Sequence, residues 1–535
     1  MGRESVFLAG SVVLAAYLGW SLAEYVALRV AHHQLAPPYA SSYACPAWLG
    51  LVLGPLLVGA WRRYGLERKM RLHGARPGAV YPHRDPLLGS DWVRLMLRAM
   101  RSDSLLETWH RLFTQTVGHT FWVQLVGGRV LMTCEPDNVK AVLSGQFEAW
   151  PIGGVRLRSI GFVLGPHAIF TSNGADWARQ RALIRPTFVR NQIADLECTD
   201  RHVENLLARL RSSVANGDAK LDLQPLLYMF TMDTSTDFMF GYSTDMLVNP
   251  TDEAVQFTRA YEYALLSAVS SARLGWLLTL MPDKKLNESV AYCRAFVDGH
   301  VAKALSQSKR KERPYVFMNE LIDAGTPPSQ ITDQLLAMIL GGRDTSASMM
   351  SSLFWVLARR PDVVRAIRLE LAALDGRKPS WEELKGLKYL NNVLKEALRL
   401  WPPVPSNMRT ASRDVVLPKG GGPDGQSPLF VPKGTECRFS MYSLQRRKDL
   451  YGEDAEEFRP ERWDTLRTSW EYVPFSGGPR VCIGQQFALT MVSYLTARIF
   501  QLFEKVEPRD ERPMVHKASS TTSMPNGCWV ALTPA

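Results

Sequence analysis

The chain has 535 residues, of which 46% are hydrophobic and 21% are charged, and its formal net charge is +11. These proportions are ordinary for globular proteins, so they exclude a wholly disordered chain and allow a large buried core. The basic residues form no single long run, and we therefore predict no nucleic-acid partner.

The first predicted element is an N-terminal membrane anchor. Residues 5–23 carry no charge, and their number matches a helix that crosses the hydrocarbon core of a bilayer. A cleaved signal peptide is the alternative, but a basic leader and a small-x-small cleavage site are not evident. We predict a retained transmembrane helix within residues 1–30.

A second apolar stretch follows at residues 47–61, and it is short for a membrane crossing. A second crossing, a re-entrant piece and a surface segment all stay open. Basic residues are densest directly after it, at residues 62–71, which places the rest of the chain on the cytosolic side by the positive-inside rule. We predict a second apolar segment and basic linker over residues 31–85, followed by one domain over residues 86–535.

Within residues 86–535, long helical patterns alternate with short strand-like runs. This predicts a mainly α-helical fold with small β-sheets. Residues 121–132 have the pattern of a β-hairpin around two glycines. Residues 420–428, rich in glycine and proline, predict a turn-rich surface insertion.

Two further helices are marked by their ends. Residues 329–360 predict one very long helix that Pro361 stops. Ser380 and Glu383 have the spacing of a capping box, which opens another helical stretch.

Two pairs of polar residues are spaced so that both members of each pair would lie on the same face of a helix. Trp177 and Arg181 lie four residues apart, and Glu396 and Arg399 lie three apart. Each pair alone is equally compatible with a solvated surface helix. Glu396 and Arg399 are followed, further along, by a Pro-Glu-Arg-Trp tract that contains Arg462.

The predicted long helix contains the tract LGGRDTS at residues 340–346. A glycine in a helix interior costs about 1 kcal/mol relative to alanine, so a pair of them requires a reason. Tight packing of the helix against a neighbour is one reason.

The strongest pattern surrounds Cys482, in the tract FSGGPRVCIG at residues 475–484. The seven cysteines are widely spaced and form no C-x-x-C pair, which argues against a disulfide framework and a four-thiolate zinc site. Glycines allow the backbone to turn sharply and to approach a neighbouring group without a Cβ clash. A glycine-rich loop around a buried cysteine is the alternative.

This tract resembles the haem-binding loop of the cytochrome P-450 superfamily, F-x-x-G-x-R-x-C-x-G, at Phe475, Gly478, Arg480, Cys482 and Gly484. The other tracts resemble further motifs of the family and occur in its order. The resemblance covers roughly residues 86–535 and implies the cytochrome P-450 fold, with the long helix over a haem b cofactor.

The resemblance implies a role for each motif. Cys482 is expected to ligate the iron as a thiolate, covered by Phe475. Thr345 is expected to donate a hydrogen bond to bound dioxygen, Asp344 to relay protons, and Gly342 to leave space. The expected ligands of the haem propionates are Trp177, Arg181, Arg409 and Arg480. A buried ion network that supports the haem loop is expected from Glu396, Arg399 and Arg462.

The implied reaction is insertion of one oxygen atom from O2 into a lipophilic substrate, driven by two electrons. No G-x-G-x-x-G follows a predicted strand, so the electrons are expected from a separate NADPH-cytochrome P-450 reductase, with cytochrome b5 as a further candidate partner. The expected location is the endoplasmic reticulum membrane, with the catalytic domain facing the cytosol.

The form of the motifs looks like the fungal branch that hydroxylates alkanes and fatty acids, although Ser406 and Met408 depart from it. A fatty-acid or alkane chain and a secondary-metabolite intermediate both stay open as substrates. Two other functions stay open. A reductase-independent haem-thiolate isomerase or dehydratase usually lacks the Asp-Thr pair, and a non-catalytic haem-binding membrane sensor requires a second axial ligand.

Overall fold

The computed structural model describes residues 57–61, 63–125, 128–217, 220–274, 283–306 and 316–535. The predicted anchor within residues 1–30 and most of the second apolar segment lie outside these ranges. In the ranges described, we find no helix that combines the length and the apolar character needed to cross a membrane.

Residues 63–72, predicted as part of the basic linker, form a helix. Strong helix formers dominate this stretch. Glu67 also lies within 3.2 Å of Arg63 and 3.9 Å of Arg71, one turn away on either side.

Helices dominate the compact unit that begins at Pro77. The α-helices of more than ten residues are α1 (Ser90–Arg101), α2 (Gly174–Ile184), α3 (Glu197–Ala215), α4 (Leu223–Phe240), α5 (Asp252–Leu274), α6 (Lys284–Ser306), α7 (Pro328–Ile339), α8 (Thr345–Leu357), α9 (Pro361–Leu371), α10 (Lys388–Leu400) and α11 (Gln485–Leu502). Shorter ones are Leu105–Arg111, Pro136–Lys140, Gly154–Arg158, Ile160–Leu164, Arg190–Ala194, Phe317–Asp323, Trp381–Gly386, Met441–Leu444, Lys448–Tyr451 and Arg462–Thr465.

The strands are short. They are β1 (Ala79–Val80), β2 (Thr120–Leu125), β3 (Gly128–Thr133), β4 (Leu221–Asp222), β5 (Ser406–Thr410), β6 (Val415–Gly421), β7 (Ser427–Val431), β8 (Glu436–Ser440), β9 (Phe503–Pro508), β10 (Lys517–Ala518), β11 (Thr522–Ser523) and β12 (Trp529–Pro534). The prediction of a mainly helical fold with small sheets is confirmed.

The largest sheet has the strand order β1-β2-β3-β8-β5. The β1–β2 and β3–β8 pairs are parallel, and the β2–β3 and β8–β5 pairs are antiparallel. The compact unit includes residues from Pro77 onward because β1 pairs with β2. A three-stranded sheet, β4-β12-β9, and two two-stranded sheets complete the set among the described residues.

The predicted hairpin over residues 121–132 is confirmed by the antiparallel pairing of β2 and β3. The predicted insertion at residues 420–428 needs correction, because its ends belong to β6 and β7, which pair with each other. The two glycine- and proline-rich ends form part of a β-hairpin through their backbone hydrogen bonds, and only the segment between the strands is a turn.

The predicted long helix is present as α7 and α8, joined by a π-helical segment, Leu340–Asp344. It ends at Leu357, and Pro361 begins α9, since proline is tolerated in the first turn of a helix. Ser380 and Glu383 form both hydrogen bonds of the predicted capping box. The apolar faces of α8, α10 and α11 share one buried cluster, so the long helix runs through the core.

Candidate active site

A cavity lies between the long helix and the loop that precedes α11. Helix α2, strand β5 and the short helix Gly154–Arg158 contribute further polar lining. The apolar lining includes Ile152, Ile169, Phe170, Met338, Met349, Val404 and Met441. The residues predicted from the Trp177–Arg181 pair and from the loop tract line this cavity, except Gly478.

Cys482 is the one cysteine of the described residues with an exposed side chain, and it lines this cavity. Its exposed surface opens onto the cavity, while the protein around it still removes solvent and so raises the pKa of the thiol. The N–H of Gly484 and the charge of Arg181 lower that pKa. The thiol also precedes the N-terminus of α11, where the helix dipole favours negative charge. This cysteine therefore has both the access and the donors that a metal-binding thiolate requires.

The loop around Cys482 depends on backbone conformations that few residues adopt. The Cys482 N–H donates to the Phe475 carbonyl at 2.9 Å, which closes the loop on itself. Gly478 has a φ of +66°, and a Cβ there would lie 2.0 Å from the Leu143 carbonyl oxygen. Ser476 has a φ of +63°, and its buried hydroxyl has no hydrogen-bond partner in the described structure. Strain and an unsatisfied hydroxyl together are typical of a functional loop.

Two arginines tie the loop to neighbouring elements. Arg480 donates to the Ser172 carbonyl at 2.8 Å and lies 4.4 Å above the Trp177 ring. Arg181 donates to the Val481 carbonyl at 3.0 Å. Trp177 and Arg181 therefore both contact the loop tract, as their spacing on α2 allows.

Two further arginines meet at strand β5. Arg409 donates to Asn407 Oδ1 at 3.0 Å, and Arg156 donates to the same oxygen. Burial, followed by the charges of Arg156 and Arg480, lowers the pKa of Arg409 well below its usual range. The partners of all four cavity arginines in the described structure are carbonyl and amide oxygens rather than carboxylates.

These features fit a haem. Four guanidinium groups line the cavity without carboxylate partners, and that of Arg409 is buried. Propionates satisfy such groups with charge-assisted hydrogen bonds. An accessible thiol on a glycine-containing loop supplies the iron ligand. Arg156 and Asn407 were not predicted, because neither belongs to a recognisable motif. The fold reveals them, because β5 carries Asn407 beside Arg409 and the short helix Gly154–Arg158 brings Arg156 to the same oxygen.

The wall formed by the long helix contains Gly341, Gly342 and Thr345. The Thr345 hydroxyl donates to the Gly341 carbonyl at 2.6 Å, which competes with the regular helix ladder and accompanies the π-helical segment. A Cβ at Gly342 would lie 2.7 Å from Ser235 Oγ, so this glycine permits close packing of α4. A Cβ at Gly341 would lie 3.5 Å from Phe170, a cavity residue.

Asp344 is buried beside the cavity rather than in its lining. Its carboxylate is 2.7 Å from Arg343, which also pairs with Glu262. Burial raises the pKa of Asp344 although the charge of Arg343 lowers it. The Glu262 side chain is 47% exposed, so this chain of charges connects Asp344 to solvent.

Glu396 lies at the centre of a fully buried ion network. Arg399 donates to both of its carboxylate oxygens at 2.9 Å, and Arg462 donates to Oε1 at 2.9 Å. The Trp463 indole donates to Oε2 at 2.9 Å, a contact that the sequence pattern did not predict. Arg399 also donates to three backbone carbonyls, so the network fixes the segment that leads towards the Cys482 loop.

The comparisons with known proteins agree with this geometry. The family model described as cytochrome P-450 matches residues 91–528. The chain is 41% identical to cytochrome P-450 monooxygenase himC of Aspergillus japonicus, over 86% of this chain and 84% of that protein. It is 39% identical to cytochrome P-450 monooxygenase FPY7 of Fusarium mangiferae, over 87% of this chain and 91% of that protein.

A third relative, cytochrome P-450 52A13 of Debaryomyces hansenii, is 35% identical over 82% of this chain and 88% of that protein. The match covers most of both sequences in all three cases. The resemblance inferred from the motifs is therefore confirmed, and this chain belongs to the cytochrome P-450 monooxygenase family.

Proposed function

We propose that this enzyme inserts one oxygen atom from O2 into a C–H or C=C bond of a lipophilic substrate, with haem b held at Cys482. Membership of the family implies haem iron, O2 and electrons from a redox partner. The observation that carries the proposal is the accessible Cys482 thiol in a cavity that also contains four arginines without carboxylate partners and the Thr345 hydroxyl. When bound, a thiolate-ligated haem supplies O–O bond cleavage and oxygen-atom transfer.

The residues of the chain bind the haem, hold its loop in position and keep water out of the cavity. Arg156, Arg181, Arg409 and Arg480 neutralise propionates, and the network around Glu396 keeps their loop in place. The apolar lining excludes water and favours a hydrocarbon-like group over a polar one. This supports an alkyl chain, such as that of a fatty acid or alkane, or a lipophilic secondary-metabolite intermediate, as the substrate.

Proton delivery is assigned to Thr345 and Asp344. Thr345 presents its hydroxyl in the cavity lining, and Asp344 holds the adjacent position in the chain. The raised pKa of Asp344 allows this carboxyl to take up a proton more readily than an exposed one. Arg343 and Glu262 link it to solvent. This arrangement favours a monooxygenase over the reductase-independent isomerase, which requires no proton supply from solvent.

The electron donor in this proposal is NADPH-cytochrome P-450 reductase, with cytochrome b5 as a further candidate. The net charge of +11 suits an acidic partner. The uncharged segment at residues 5–23 supports an anchor in the endoplasmic reticulum membrane. The basic residues at 62–71 support a catalytic domain that faces the cytosol.

The test is turnover of the full-length protein in membranes with reductase, NADPH and ¹⁸O2, across a panel of fatty acids, alkanes and lipophilic ring compounds. We expect one ¹⁸O atom in the product and none without reductase. Product formation from a hydroperoxide in the absence of NADPH, with no label from O2, would instead support the isomerase.

A further inference from the structure

We propose that Cys198, His202 and Asp237 form a zinc-binding site outside the active-site cavity. Cys198 and His202 lie four residues apart near the start of α3, so their side chains share one face of that helix. Asp237 lies in the last turn of α4, which packs against α3. Three different ligand types therefore converge from two adjacent helices.

The separations of the three ligand atoms fit one small ion. His202 Nε2 is 2.8 Å and Cys198 Sγ is 3.5 Å from the same oxygen, Asp237 Oδ2, and all three atoms lie within 4.8 Å of one another. Zinc binds nitrogen, oxygen and sulfur at about 2.0–2.3 Å, so neighbouring ligands of a tetrahedral ion are separated by roughly 3.3–3.7 Å. Cys198 and Asp237 already lie in that range, and a shift of about half an ångström brings Asp237 and His202 into it.

The ligand set selects zinc over the other common divalent ions. Magnesium and calcium prefer oxygen ligands, whereas a thiolate together with an imidazole suits zinc. The His202 side chain is 2% exposed and that of Asp237 is 13% exposed, so two of the ligands are held within the packed helices. The fourth position of a tetrahedral ion is left for water or a further ligand.

The Asp237 carboxylate already pairs with a positively charged side chain, that of Arg201. The Arg201 guanidinium pairs with Asp237 Oδ2, the oxygen shared by the two other ligands. The Arg201 side chain is 60% exposed, so it reaches the site from the solvent side and is free to turn away. Zinc and Arg201 therefore compete for one oxygen, and removing the guanidinium is expected to strengthen zinc binding.

The site has a structural route to the active site. Phe238, the neighbour of Asp237, stacks on Phe487 of α11 at a centroid distance of 4.5 Å. Helix α11 follows the Cys482 loop directly. An ion that fixes the end of α4 is therefore expected to stabilise this contact and to raise the thermal midpoint of the holoenzyme.

Equilibrium dialysis of the full-length, haem-loaded protein against ZnCl2, with elemental analysis of zinc and iron, tests the site. We expect one zinc per chain that is lost in Cys198→Ser and in His202→Gln, and retained in Cys293→Ala, which alters a buried cysteine elsewhere. Arg201→Gln is expected to bind zinc at least several-fold more tightly. The haem content of each variant shows that it has folded.

Two results would overturn the proposal. One is a wild-type protein that retains no zinc after dialysis, with Arg201→Gln equally devoid of it. The other is zinc binding that Cys198→Ser and His202→Gln leave unchanged in folded protein, since the ion would then lie elsewhere.

Discussion

Arg156 and Arg409 donate hydrogen bonds to the same atom, Oδ1 of Asn407, although both side chains are positively charged. Like charges at such a site repel each other, and burial adds a desolvation penalty to each. The pair therefore indicates that an anion is part of the functional state. The propionates of haem meet this requirement.

We predict that Arg409→Gln and Arg156→Gln each accelerate the loss of haem. A hydrogen bond to a charged group contributes about 1.5–3 kcal/mol, which corresponds to roughly a tenfold or greater effect on retention. The rate at which haem transfers to excess apomyoglobin measures this loss. Arg413→Gln is the matched control, because Arg413 is exposed and does not line the cavity. Equal transfer rates for the wild type and the three variants would contradict the assignment of Arg156 and Arg409 to the haem propionates.

Gly478→Ala is predicted to abolish haem incorporation, whereas Gly484→Ala is predicted to weaken it only mildly. A Cβ at Gly478 collides with a backbone carbonyl, and the positive φ disfavours any side chain. A Cβ at Gly484 meets only the Phe188 ring, at 3.4 Å. The ratio of haem to protein after purification, measured by the pyridine haemochrome assay, distinguishes the two. Similar haem content in both variants would show that the loop tolerates the collision.

Removing the central carboxylate of the ion network is predicted to destabilise the fold. Glu396→Gln leaves Arg399 and Arg462 buried with weakened partners, and breaking such a pair typically costs about 3–5 kcal/mol. A lower urea midpoint of the haem-loaded protein is the expected result, with Glu504→Gln, an exposed position, as the control. Equal midpoints for the two variants would mean that the network adds no stability.

The same network predicts how stability depends on pH. Burial alone would raise the pKa of Glu396. The hydrogen bonds and charge of Arg399, with hydrogen bonds from the Arg459 N–H and from Arg462, bring that pKa below its ordinary value of 4.5. Its stabilising contribution is therefore complete above pH 4.5 and is lost as the pH falls towards the lower folded-state value. Urea midpoints measured in steps of pH are expected to fall more steeply below pH 4.5 for the wild type than for Glu396→Gln. Parallel curves would contradict this.

Thr345→Ala and Asp344→Asn are predicted to separate NADPH consumption from product formation. Both impair proton delivery, and general acid–base groups contribute about 10²–10⁴-fold to a rate. Product per NADPH is expected to fall while the substrate-induced spectral shift keeps its dissociation constant. Glu262→Gln is expected to show the same defect in weaker form, because it acts only at the solvent end of the relay. Unchanged product yields in Asp344→Asn would remove this carboxyl from the proposed pathway.

Local sequence motifs predicted those contacts that follow directly from the spacing of two residues along one helix. Glu396 and Arg399 meet because residues three apart share a helical face, and the capping box at Ser380 forms because its spacing allows both hydrogen bonds. The long helix was predicted by its apolar pattern. The tract around Cys482 was recognisable because so few sequences satisfy its glycine, arginine and cysteine positions together.

Contacts between distant segments were not predictable in the same way. Arg156 and Asn407 meet across 251 positions of sequence, and no local pattern marks either one. The pairing of Arg343 with Glu262 depends on how α5 packs beside the long helix. The role of Gly342 was likewise set by its neighbour, since Ser235 on α4 occupies the space that a side chain would need.

The most direct test of the central claim is the carbon-monoxide difference spectrum of the reduced, full-length protein. A cysteine thiolate on the iron is predicted to give the strongly red-shifted Soret band of haem-thiolate proteins, and Cys482→Ser is predicted to abolish it while Cys528→Ala retains it. A folded, haem-containing wild type without that band, or a Cys482→Ser variant that keeps it, would contradict the assignment of Cys482 as the iron ligand.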